Sequence, residues 1–71
     1  MNLLEVRSLT RGEILHHVSE VNADKTPQRW FVSGRVKIWK RDASKVKVPI
    51  KHGLYINGYI TEENMHLLNR S

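Results

Sequence analysis

Seventy-one residues allow one small domain, residues 1–71, which buries only about 60% of the surface its unfolded chain exposes. The chain has no cysteine, which excludes disulfides and thiolate metal sites and fits a reducing, cytoplasmic setting. Its formal charge of +5 is uneven: residues 28–53 carry +7 and the remainder −2. That concentration points to a polyanionic partner, nucleic acid or an acidic protein. No apolar run approaches the roughly 18 residues of a membrane span, and the first residues do not read as a signal peptide.

Residues 1–8 form a lead-in in which Leu3, Leu4 and Val6 either dock on the core or fray. Residues 9–22 carry two patterns. Thr10 and Glu13 have capping-box spacing, and Ile14, Leu15, Val18 and Val21 fit a helical face. Gly12 and the weak helix formers His, Ser and Val oppose that. We assign a strand, because the tryptophan-bearing segment that follows needs a sheet partner. Residues 22–27 are a turn by chemistry, with Asn22, Asp24 and Pro27 at its corners.

Residues 29–51 hold both tryptophans, the only phenylalanine and eight of the twelve basic residues. Here the pattern has a period of two. Val36 and Ile38 fall on one face, with Arg35, Lys37 and Trp39 on the other. Val46, Val48 and Ile50 repeat the rule, with Lys45, Lys47 and Lys51 outward. Ser33-Gly34 predicts a tight turn pairing 29–32 with 35–40 as a hairpin. Residues 41–44 are a loop. Trp30, beside Phe31, is expected in the core. Pro49 cannot donate to a ladder, so its nitrogen belongs at an edge or a bend. Asn57-Gly58 predicts either a second hairpin turn or a bulge in one long strand. Residues 61–64 read as a helical or 3-10 turn, and 65–68 as a short strand or a continuation of that helix.

Gly58-Tyr59-Ile60-Thr61-Glu62-Glu63-Asn64-Met65-His66-Leu67-Leu68 resembles the end of SH3-like small β-barrels. There a strand enters a 3-10 turn and a short apolar strand closes the barrel. Leu9-Thr10-Arg11-Gly12-Glu13-Ile14 is similar to the way such barrels begin. The resemblance implies a mainly β fold, either a five-stranded barrel or a strongly twisted antiparallel sheet, with one short helical turn near 61–64. The acidic first loop and paired tryptophan of the proline-peptide groove are missing, so that binding function does not transfer.

No residue set predicts catalysis. His16, His17, His52 and His66 match no zinc spacing. Glu62 and Glu63 share one small turn, a poor frame for two carboxylates of distinct acidity. Ser8, Ser19, Ser33 and Ser44 lack a histidine-plus-acid context, and Gly53 and Gly58 make no phosphate loop. The expected function is non-enzymatic, without cofactor or metal. Arg35, Lys37, Trp39, Lys45, Lys47 and Lys51 form a nucleic-acid-binding sheet face, with Tyr55 and Tyr59 as stacking or rim residues. The alternative is an interaction or assembly module that binds an acidic protein or self-associates through a strand edge.

Overall fold

The computed structural model describes residues 1–70. The lead-in is a docked helix rather than a loose end. In α1 (Leu3–Arg7) the Asn2 side chain accepts from the Glu5 amide at 2.9 Å, and Glu5 accepts from the Asn2 amide at 3.1 Å. This reciprocal capping box satisfies two orphan donors at the helix start. Val6 is fully buried, Leu3 packs against the core, and Leu4 stays exposed. The Met1 amino group donates to the Met65 and Leu68 carbonyls at 2.9 and 2.8 Å. Arg7 donates to the Ala43 carbonyl.

Six strands follow: β1 (Ile14–Val21), β2 (Pro27–Val32), β3 (Lys37–Ile38), β4 (Val46–His52), β5 (Ile56–Thr61) and β6 (Leu68–Arg70). A 3-10 turn, Met65–Leu67, joins β5 to β6. All pairings are antiparallel. The order is β3-β4-β2-β1-β6, with β5 along the other edge of β4. The fold is therefore mainly β, with β4 at its centre. Strands β5 and β6 do not pair with each other, so no ladder closes the sheet among the described residues.

The strand assignment for β1 holds, and its Thr10–Glu13 signal has a different meaning. Glu13 does accept from the Thr10 amide, at 3.1 Å, but within a turn that precedes the strand. Past His16 the β1–β2 register shifts. There the His17 Nδ1 accepts from the Ser19 and Glu20 amides, at 3.1 and 2.9 Å. The imidazole thus takes up donors that the irregular strand leaves unpaired.

The expected hairpin of 29–32 with 35–40 does not form. Strands β2 and β3 both pair antiparallel with β4, so the chain bends at 33–36 without reversing. The Ser33 amide donates to the Pro49 carbonyl at 2.9 Å, which draws the bend onto β4. On a strand the N–H and C=O of one residue face the same side. The Pro49 nitrogen therefore faces the gap between the β2 and β3 ladders, where a missing donor costs nothing. Pro49 thus sits mid-way along the central strand β4, not on an edge strand or at a bend of its own as expected; the bend that accommodates it is in the facing segment 33–36. Gly34 fits the same gap: a Cβ there would lie 2.7 Å from Pro49 Cγ.

Asn57-Gly58 makes neither a turn nor a bulge. The β4–β5 register runs unbroken from Lys47↔Thr61 to His52↔Ile56. The hairpin turns at 53–55, where Gly53 takes a positive φ of 69°. Gly58 serves packing instead, since a Cβ there would lie 3.3 Å from the Trp30 ring. The last turn also sits later than expected, with turn residues at 62–64 and the 3-10 segment after them.

Val46, Val48 and Ile50 of β4 join Val6, Leu9, Leu15, Val32, Ile60 and Leu68 in the core. Trp30 packs against this cluster and lies 5.2 Å, ring to ring, from His52. His52 Nδ1 donates to the Arg29 carbonyl at 2.8 Å. The long axis is 43 Å against 21 and 17 Å. No helix among the described residues is long and apolar enough to cross a membrane.

Candidate nucleic-acid interface

Alternation along β4 places Lys47, Pro49 and Lys51 opposite the buried Val46, Val48 and Ile50. Cross-strand partners extend this outer face. Lys37 of β3 stands directly opposite Lys47 on one side, and Thr61 and Tyr59 of β5 lie opposite Lys47 and Pro49 on the other. Arg35, Val36, Lys37, Lys47, Pro49 and Tyr59 line one groove of about 330 Å³. The Lys47 ammonium lies 4.3 Å from the Tyr59 ring centroid, within cation–π range. The groove lining contains no carboxylate.

Two like charges placed directly opposite on a sheet are destabilising. Lys37 and Lys47 accept that arrangement without an acidic partner among the described residues. The one ion pair among the described residues is Arg70–Glu13, at 2.5 Å. It lies on β6 and the turn before β1. Arg70 also donates to Ser8 at 2.7 Å. The Arg70 guanidinium holds the Glu13 carboxyl below its ordinary range, with the Thr10 amide assisting. Asp42, the lone acid in the basic segment, is occupied locally. Its Oδ1 accepts from the Ser44 hydroxyl at 2.5 Å and amide at 3.1 Å, and these bonds lower its pKa.

The sequence-predicted residues divide between this groove and its surroundings. Arg35, Lys37, Lys47 and Tyr59 come together. Lys51 shares their face but lines a second groove, with Arg11, Gly12, Phe31, Val32 and Ser33. Lys51 lies four positions along β4 from Lys47, about 13 Å at the usual strand rise. Lys45 precedes β4 and is exposed. Trp39 lies one residue past β3, 40% exposed, and lines neither groove. Tyr55 is 90% exposed at the hairpin turn, apart from Tyr59. Ile38, expected on the inner face, is 47% exposed because β3 ends there after two residues.

Arg11 and Phe31 were not expected at this surface. Phe31 could have been found by parity, since it alternates with Trp30 and the fully buried Val32. Arg11 had no such signal. It reaches the second groove because the Gly12 amide donates to the Val32 carbonyl at 2.7 Å. No group of three metal-ligating side chains forms among the described residues. No family model, curated protein or solved structure matches the chain.

Proposed function

We propose that this chain is a non-enzymatic nucleic-acid-binding module of the SH3-like class, working in the cytoplasm through the outer face of β3, β4 and β5. The observation that carries the reading is the convergence of Arg35, Lys37 and Lys47 on one groove without a carboxylate. A polyanion crossing it would offset the Lys37–Lys47 repulsion and release counterions. Lys45 and Lys51 extend the phosphate track. Tyr59 offers a ring in the groove, and Trp39 a second ring beside it for an unpaired base. The SH3-like assignment is supported by β4 being shared between partners and by the 3-10 turn that returns the chain to β1.

The test is titration of a short single-stranded oligonucleotide, followed by tryptophan fluorescence. Combined Arg35→Ala, Lys37→Ala and Lys47→Ala is expected to weaken binding at least about tenfold, since several phosphate contacts disappear together. Lys25→Ala, in the distant 22–27 turn, is expected to change little. Trp39→Ala is expected to abolish the quenching and, read by anisotropy of a labelled oligonucleotide, to cost about 1–3 kcal/mol, the worth of one stacked base. A triple variant that binds as tightly as the parent removes the proposal.

A further inference from the structure

We infer that the free edge of β5 pairs antiparallel with the same edge of a second copy of this chain, about a two-fold axis at Asn57. The inference does not rest on the nucleic-acid reading. β5 is the longest free edge of the sheet: β3 has two residues and β6 three, against six for β5. Natural edges are blunted by shortness, lysine, proline or bulges. Ile56–Thr61 contains no charge and no proline, and its register with β4 is unbroken.

Which backbone groups face outward follows from two hydrogen bonds. Asn64 donates to the Tyr59 carbonyl and accepts from the Thr61 amide, both at 2.8 Å. Residues 59 and 61 therefore point away from β4, and by alternation so does Asn57. The Asn64 side chain occupies the place of a neighbouring strand at one end of the edge. The remainder is open: the N–H and C=O of Asn57 and the N–H of Tyr59 have no partner among the described residues.

Those open groups are self-complementary. With Asn57 opposite its own copy, each Asn57 N–H meets the other's C=O. The next rung sets the Tyr59 N–H against the Tyr55 carbonyl of the second copy. A two-fold axis repeats every such contact, which closes the assembly at two. Side chains match as well. Tyr55, 90% exposed, falls opposite Tyr59, 52% exposed, on the outer face. On the inner face Ile56, 53% exposed, falls opposite Gly58. Gly58 borders a cavity of about 270 Å³ whose lining mixes Trp30, Ile50, Leu67 and Leu68 with the polar His17 and Asn64. Ile56 of one copy thus covers the cavity of the other.

The experiment is solution mass by sedimentation across a concentration series. The expected result is a rise from 8.3 kDa toward twice that mass. The dimer fraction should increase with salt, because two copies of charge +5 repel. Asn57→Pro removes the central donor without touching the β4 ladder, and the folded protein is expected to stay at single-copy mass. If that variant does not fold, cysteine placement decides the matter, since the chain has none of its own. Directly opposed residues stand about 5.5 Å apart at Cα, within disulfide reach. Asn57→Cys is expected to cross-link faster than Glu20→Cys, on exposed β1. A single-copy mass at every concentration overturns the inference, as does a folded Asn57→Pro that still dimerises. Cross-linking at 57 no faster than at 20 also overturns it.

Discussion

Gly34 and Pro49 show how one contact sets the course of the chain. The 2.7 Å approach leaves no room for a methyl group, and the proline ring is held in a central strand. Gly34→Ala is expected to cost about 1–3 kcal/mol, read as a lowered thermal midpoint, the usual penalty for overpacking. Gly58→Ala meets the Trp30 ring at 3.3 Å and is expected to cost less. Neither role was legible in the sequence. Ser33-Gly34 and Asn57-Gly58 both carry turn chemistry, and a local signal cannot report which distant side chain will lie on a glycine. The alternation of Val46, Val48 and Ile50 was legible, because ladders on both edges hold β4 strictly to period two.

Glu13 and Arg70 are the second residue-scale case. The carboxyl is more acidic folded than unfolded, so the pair contributes stability above the ordinary carboxylate value of 4.5. That contribution fades as pH falls below 4.5 and through the lowered folded value. Thermal midpoints of the parent and Glu13→Gln are expected to differ at neutral pH and to converge in acid. A gap that is constant with pH contradicts the assignment. Both side chains are partly exposed, so screening keeps the effect small.

At the scale of elements, β4 and α1 divide the work. β4 organises the sheet, since β2, β3 and β5 all reach it. α1 closes one side of the core with Val6, which is fully buried. Val6→Ala is expected to lower stability by about 2 kcal/mol, the loss of two buried methyl groups and the small cavity they leave. Asn2→Ala is expected to cost about 1 kcal/mol through the lost cap. Denaturant midpoints with unchanged slopes would report both. A value near zero for Val6→Ala would mean the helix is not docked. The sequence left residues 1–8 between docking and fraying because a five-residue helix has too few apolar positions to show a period. The strand at Ile14–Val21 was reached because its neighbour needed a partner, which is a tertiary argument. The helical face in the same residues was real as a pattern but was overridden by the β2 and β6 ladders.

The whole molecule is an elongated sheet whose charge lies mainly on one segment, 28–53, with a single ion pair elsewhere among the described residues. That excess was legible from composition. Its gathering into a groove by Arg35, Lys37 and Lys47 was only partly so. Parity put them on one side, but the link between β3 and β4 depended on a bend read as a hairpin. The most direct test of the proposed polyanion surface is the affinity for a single-stranded oligonucleotide measured across salt concentration. With about five phosphates neutralised by Arg35, Lys37, Lys45, Lys47 and Lys51, log K should fall against log salt with a slope of about −3.5. An affinity that does not change with salt would contradict the account.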